Sequence, residues 1–394
     1  MNNTMRIYLL TLISFLIGTA EYIIAGILEQ IAQDLKLPVP LIGQMITVFS
    51  IAFAVGTPIV ITLTAQFDRK KLLIGFMLVF AVANLSTILL TSYGLLNVSR
   101  AVSGLSAGVV EVILLTLAAI LAAPGKKAGA IAMVVVGFSA ALVVGVPLGR
   151  VVSGMMDWRY IFLGLGLLTL ISLIAVIHVI PGTQGETAIP LRQQLKLLKN
   201  KQISLVYVMT FFWISAFSII YSYISPYLSS VSHMADGEIS IMLLVCGLAS
   251  IAGSQLGGRF TDRSGYVLTL LAGLLLHCAT LVLFALFGQI SWVMYVLLIS
   301  WSVSAWSSGP ALQFRLISLA PESTGIIFSL YASMIQFGMA AGAIVGALVI
   351  QAGSLSDISM VGAASVFLSL LLLAKITPAA NRPALDVCVS AEKS

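Results

Sequence analysis

The chain has 394 residues, 60% of them hydrophobic and only 9% charged, with a mean hydropathy of +1.10 and a formal net charge of +6. A soluble domain carries about 25% charged residues, so this composition excludes a soluble globular protein and predicts a polytopic membrane protein. The apolar runs are continuous, whereas a transmembrane β-barrel needs alternating segments of about ten residues, so the spans are helices of about 20 residues each.

The chain opens MNNTMRIYLL, which has the basic start of a signal peptide. Its apolar run is long and no small-x-small cleavage site follows, so it reads as a retained first helix. Breaks at charged, Pro or Gly clusters mark six spans near 6–28, 41–63, 71–92, 95–122, 128–153 and 159–180. Six more lie near 203–228, 239–260, 267–287, 291–313, 324–350 and 357–376. The one substantial polar connection is PGTQGETAIPLRQQLKLLKNKQ. Leu191, Leu195 and Leu198 lie at helical spacing in it, so it reads either as a basic amphipathic helix on the membrane surface or as a solvated linker.

Lys and Arg cluster in alternate loops: Arg69, Lys70 and Lys71; Lys126 and Lys127; Arg192, Lys196, Lys199 and Lys201; Arg259 and Arg263; and Lys375, Arg382 and Lys393 in the tail. The opposite loops hold Lys36, Arg150 and Arg159 among acidic residues. Positive charge stays on the cytoplasmic side, so both termini are expected there. Dispersed in this way, the charge reports orientation and implies no nucleic-acid partner. Cys246, Cys278 and Cys388 have no metal or disulfide spacing.

The two parts of the chain echo each other. RFTDRSGYVLTLLAG superposes Asp262 on the Asp68 of QFDRKKLLIG, LAPESTGIIFSL superposes Pro321 on the Pro124 of LAAPGKKAGAIAM, and GAIVG at 342–346 matches GVPLG at 145–149. The expected fold is therefore an all-α polytopic membrane protein of about twelve transmembrane helices in two pseudo-symmetric six-helix halves. The expected limits are 1–180 for the N-terminal half, 181–202 for a cytoplasmic linker, 203–378 for the C-terminal half and 379–394 for a cytoplasmic tail. A substrate site is expected between the halves near the midplane.

These motifs resemble the major facilitator superfamily, and within it the bacterial drug:proton antiporter family, over essentially the whole chain. GRFTDRSG fits the family pattern G-x-x-x-D-R-x-G, whereas the first copy, TAQFDRKK, keeps Asp68 and Arg69 but has Thr64 and Lys71 in place of glycines. The resemblance implies a gating role for Asp68, Arg69, Asp262 and Arg263, with the first-copy Asp clamping the halves near the amino end of the eleventh helix; plain charge anchoring is the alternative. NVSRAVSGLSAG resembles the family's R-x-x-x-G motif and places Arg100 in the membrane. GFSAALVVGVPLGR resembles the antiporter motif, in which Gly145, Pro147 and Gly149 have conformational roles; without the family they mark a kinked, closely packed helix. TAEYIIAGIL, YSYISPYL and SSGPALQFRLISLAPES resemble the branch of purine-base efflux pumps and of arabinose-type and sugar exporters. The resemblance implies a bacterial cytoplasmic (inner) membrane, a monomer in the lipid bilayer, a small-molecule substrate, protons as the second partner, and no cofactor beyond the proton gradient.

Glu21 and Glu111 interrupt long apolar runs, where a charged side chain costs roughly 2.5–3.5 kcal/mol or more. Such acids carry protons, ions or substrate. At 1.5 Å per residue, Glu21 and Arg100 lie roughly 10 Å and 8 Å from the outer ends of their spans, which predicts that they interact. Glu111 follows Arg100 by three turns on the stripe Arg100, Gly104, Gly108, Glu111, with no partner evident from the sequence and no counterpart in the relatives. It either exchanges a proton as the cavity opens or is a neutral acid bonded to a neighbouring helix; Glu21 either couples protons or only fixes Arg100. The proton-coupling candidates are thus Glu21, Glu111 and Arg100, and the cavity candidates for substrate are Glu21, Glu111, Tyr223, Trp213 and Gln336. His178 and His277 read as packing or interface residues. Tyr221, Trp301 and Trp306 are able to stack on a planar ligand but individually read as packing or interface anchors. No nucleotide loop, metal cluster or nucleophile triad is present, so the expected function is not enzymatic. The sequence predicts proton-driven efflux of a purine base, nucleoside or drug-like solute; sugar export and uncoupled diffusion are the alternatives, and a membrane-embedded enzyme or receptor a remote one.

Overall fold

The computed structural model describes residues 3–123, 126–183, 191–321 and 324–376, and every regular element among them is helical. A backbone in lipid has to satisfy its own polar groups, and a helix does so within one segment. Helix α1 (Asn3–Gly26) stops where Ile27 leaves the helical region, and a short helix α2 (Leu28–Leu35) follows, ending at Lys36 in the left-handed conformation. Then come α3 (Val39–Leu63), α4 (Arg69–Ser86) and α5 (Tyr93–Leu121). The next span is a composite: α6 (Lys127–Ala140), a π turn (Ala141–Gly145) and α7 (Val146–Met155). Helix α8 (Arg159–Val179) completes a first group.

The connection contains α9 (Leu191–Lys196), so its latter part is helical. The second group holds α10 (Lys201–Tyr221), the single turn α11 (Ile224–Pro226) with a π turn (Tyr227–Val231), α12 (Asp236–Ser264) and α13 (Tyr266–Phe287). It ends with α14 (Ser291–Leu319), α15 (Thr324–Ala352) and α16 (Ile358–Leu373). Several residues of the sequence reading lie outside the described residues: Pro124, part of the connection (184–190), and the tail 379–394 with Arg382, Cys388 and Lys393.

Ten helices are long and apolar enough to cross a membrane among the described residues. Two expected spans fall outside that set: α4, which opens on Arg69, Lys70 and Lys71, and α14, which is rich in serine and tryptophan. The helices α1–α8 pack chiefly among themselves, as do α10–α16. The main contacts between the groups are α3 against α15, and the π turn with α7 against α12. Counted as spans, these are the second with the eleventh and the fifth with the eighth, pairs that exchange when the groups are swapped.

Small residues set the close approaches. Helix α1 runs parallel to α6–α7, and a methyl group added to Gly145 or Gly149 would overlap Thr19 or Ile23 of α1. The packing reading of this motif is therefore visible in the structure: Gly145 and Gly149 bring α1 and α7 together, and Pro147 is buried. Gly247 of α12 lies against the backbone of Leu142 and Val143, which fixes the π turn against the second group.

Candidate functional site

The structure brings Glu21 to the boundary between the two groups. Its side chain is 3% exposed, and Oε1 accepts a 3.0 Å hydrogen bond from Gln336 Nε2 of α15. Glu21 Oε2 and Gln336 Oε1 are buried with no hydrogen-bond partner among the described residues. A buried polar atom without a partner costs about 1–3 kcal/mol, so the pair leaves two oxygens free to receive a proton or a ligand donor.

The sequence predicted an interaction of Arg100 with Glu21, and the two lie close enough to act on each other as opposite charges, but not as a bonded pair. Arg100 Nη1 donates instead to the Ala20 carbonyl at 2.9 Å, and the guanidinium lies 4.4 Å from the centre of the Phe49 ring. No Arg100–Glu21 ion pair forms within 4 Å among the described residues. The depth estimate was right, since Ala20 is the neighbour of Glu21. The flat face of Phe49 and the adjacent carbonyl turn the guanidinium along α1, while Glu21 points toward α15.

Glu111 has a partner that the sequence reading did not name. Ser14 Oγ of α1 lies 3.1 and 3.0 Å from its two carboxylate oxygens and donates to one of them. Helices α1 and α5 are antiparallel here, so moving inward from the Arg100–Ala20 contact by three turns of α5 leads back along α1 toward Ser14. That register was the missed signal. The predicted stripe on α5 divides: Arg100 and Glu111 face α1, whereas Gly104 packs on the Phe49 backbone and Gly108 on Phe53 and Thr57 of α3.

Beside Glu21, a run of aromatic rings crosses between the groups. Tyr22 meets Phe138 and Tyr221 edge-on, each with centroids 5.7 Å apart. Tyr221 stacks on Phe217 at 5.1 Å, and Phe217 stacks on Trp301 at 5.3 Å and meets Trp306 edge-on at 5.7 Å. The Tyr221 hydroxyl and Trp301 Nε1 are buried without partners among the described residues. The free space against these rings is a cavity of about 20 Å³, lined in part by Leu142, Val146, Tyr221, Cys246 and Trp301. That is room for about one water molecule, so an organic solute has to displace side chains to enter.

The other cavity candidates have structural duties. Trp213 Nε1 donates to the Ala305 carbonyl at 2.7 Å, tying α10 to α14. The Tyr223 ring is wedged between Gly43 of α3 and Gly346 of α15, with its hydroxyl donating to Ala343 at 2.8 Å. Their donors are already used, because each sits where two backbones approach closely. His178 is exposed on α8, and His277 is fully buried with neither ring nitrogen bonded among the described residues.

Asp68 caps α4, accepting from the Lys70 amide at 2.8 Å, and also accepts from the Thr183 amide at 3.1 Å. Burial pushes its carboxyl up, but the Thr183 and Lys70 hydrogen bonds outweigh this and hold it below its ordinary value. The expected clamp onto the eleventh helix is not made among the described residues. The carboxylate instead takes the unpaired amides at the start of its own helix and after α8. Arg69 is buried; Asp262 and Arg263 stand exposed at the end of α12.

Three comparisons bear on this geometry. A family model described as Major Facilitator Superfamily matches residues 10–343. The chain is 42% identical, over 94% of its length and 95% of the relative's, to an uncharacterized MFS-type transporter, YbcL, of Bacillus subtilis (strain 168). It is 30% identical to a probable sugar efflux transporter of Helicobacter pylori (strain G27) and 29% identical to one of Helicobacter acinonychis (strain Sheeba), in each case over 95% of both chains. Its fold is similar to that of the human organic anion transporter MFSD10 (TETRAN), with a TM-score of 0.71 at 17% identity, covering 93% of this chain and 98% of that one.

Proposed function

Taking as premise that the chain belongs to the Major Facilitator Superfamily, we propose that it is a proton-coupled secondary exporter of a small, ring-shaped polar solute in a bacterial cytoplasmic membrane. It is a multi-pass membrane transporter and not an enzyme. In this reading α4 and α14 also cross the bilayer, giving twelve spans in two six-helix halves, with the termini on the cytoplasmic side.

The observation that carries the proposal is the Glu21–Gln336 hydrogen bond. It is a bond between a buried acid of one group and a buried amide of the other. Alternating access moves one group against the other around a central site, so each cycle has to break and remake this bond. A proton delivered to Glu21 turns it from an acceptor into a donor and changes what Gln336 and a solute are able to offer it. Coupling follows if solute and proton compete for these oxygens.

Sugars are the first substrate class to test. Relatives named as probable sugar efflux transporters cover almost the whole chain. Trp301, Phe217 and Tyr221 supply flat apolar faces for a pyranose, while Glu21, Gln336, the Tyr221 hydroxyl and Trp301 Nε1 supply hydrogen-bonding groups for its hydroxyls. A purine base is the second class. The outer rings of the Tyr221–Phe217–Trp301 stack are flat partners for a planar heterocycle, and a carboxylate beside an amide suits its edge.

The test is transport in liposomes under an imposed pH gradient, with a panel of monosaccharides, purine bases and cationic dyes. Solute uptake into inverted vesicles, accompanied by proton release from the lumen, is expected for one class. Solute movement that ignores the gradient would make the protein a facilitator.

A further inference from the structure

Arg150 serves neither of the two acids described above, yet it is closely engaged on several sides. It stands on α7 with a side chain 1% exposed, at the end of the bundle opposite the termini. Nη1 donates to the Gly26 carbonyl at 2.7 Å and to Ser225 Oγ. Nη2 donates to Asp236 Oδ1 at 2.6 Å and lies 3.8 Å from Glu29 Oε2. Ser225 in turn donates to Glu29 at 3.1 Å, closing the cluster.

These partners divide cleanly between the two groups. Gly26 and Glu29 belong to the first group, as does Arg150 itself. Ser225 and Asp236 belong to the second. Each position has a local reason. The α1 helix ends at Gly26, leaving a carbonyl that attracts a cation, and Asp236 opens α12, where a carboxylate is favoured by the helix dipole. Helix α2, which carries Glu29, is braced by a 2.7 Å bond from Arg159 to Asp34 and a 3.3 Å bond from Trp158 Nε1 to the same carboxylate.

We propose that Arg150 is the latch of this end of the transporter: it fastens the two helix groups together through Ser225 and Asp236 and keeps the substrate path closed to the compartment beyond. When the groups part, Arg150 retains Gly26 and Glu29 and gives up Ser225 and Asp236. A buried guanidinium needs its donors partnered, so the closed arrangement is favoured by two contacts that the open one lacks. The state described here, with Arg150 bonded to both Ser225 and Asp236, is closed in this sense.

The test uses pulsed-EPR distances between spin labels at Met156→Cys and Gln289→Cys, exposed positions near this end on either group, with the three native cysteines replaced by serine. No solute or proton gradient is needed, so the outcome is independent of the transport reading. Arg150→Ala and Asp236→Asn are each expected to move the distribution toward longer distances, raising the ratio of open to closed protein about tenfold. Asp236 is an exposed rim residue, so its substitution is available even where Arg150→Ala fails to fold. The double variant is expected to open no further than Arg150→Ala alone, because that substitution already removes the Asp236 contact. An unchanged distribution in Asp236→Asn, or additive effects in the double variant, would overturn the proposal.

Discussion

Glu21 and Glu111 are acids within the spans of the first helix group, the former buried and the latter half-buried, and their partners separate them. Glu21 is bonded to Gln336 across the gap between the groups, whereas Glu111 is bonded to Ser14 of a neighbouring helix in its own group. When the groups move as bodies, the first bond has to break and the second travels intact. An acid whose surroundings change in every cycle is suited to taking up and releasing a proton. An acid whose surroundings persist is suited to holding helices in register. In the proposed transport cycle, proton coupling therefore falls to Glu21 and helix alignment to Glu111.

The largest effect is expected from Glu21→Gln, which keeps the shape but cannot give up a proton. Proton-coupled transport in liposomes should fall on the order of 100-fold, while solute counterflow without a gradient survives. Equal loss in Glu111→Gln would break the distinction. Gln336→Leu removes the hydrogen bond that Glu21 accepts across the gap and should reduce coupled flux about tenfold; a drop confined to flux, with normal thermal stability, would sharpen the assignment. Glu111→Gln and Ser14→Ala should each leave coupled flux within about threefold of the parent and lower the melting temperature instead. Flux and stability therefore move in opposite order for the two acids.

Asp68 provides the smallest effect and a control outside both pairs. Its carboxyl is held below the ordinary value, so its contribution to stability is fully present above the unfolded carboxylate pKa of about 3.9 and is lost as pH falls through the lower folded value. Asp68→Asn should melt about 2 °C lower at pH 7. The gap between variant and parent should close below about pH 4. A gap that persists there would mean that the side chain acts through shape and not through its charge.

The span limits were largely legible from the sequence. The expected run at 159–180 is α8 at Arg159–Val179, and that at 267–287 is α13 at Tyr266–Phe287. Apolar length and charged breaks carry that information along the chain. The short helix α2 was missed because Ile27 breaks the helix with no Gly, Pro or charge at its own position. The site was half legible. Acids within apolar runs announce themselves by their cost, which found Glu21 and Glu111, and the resemblance of NVSRAVSGLSAG to a family motif found Arg100. Their partners were not, because a partner is fixed by which way a side chain turns, and depth along a helix says nothing of that. Arg100 lies at the predicted depth and turns to a carbonyl. Arg150 was read as one of a few stray loop charges, since nothing local marks an arginine whose partners are 75 and 86 residues away.

The π turn at Ala141–Gly145 makes residue count, more than residue identity, the fragile property of its helix. An i→i+5 turn holds one residue more than an α turn, and each residue advances a helix by about 100°. The wide turn absorbs that extra residue, and closing it to an α turn with the residue retained would rotate everything beyond it by that angle. Gly145 and Gly149 would lose their places against α1, and Arg150 would swing away from Asp236. Removing one residue together with the wide turn should thus leave those faces in place, whereas adding one to the regular helix beyond it should not.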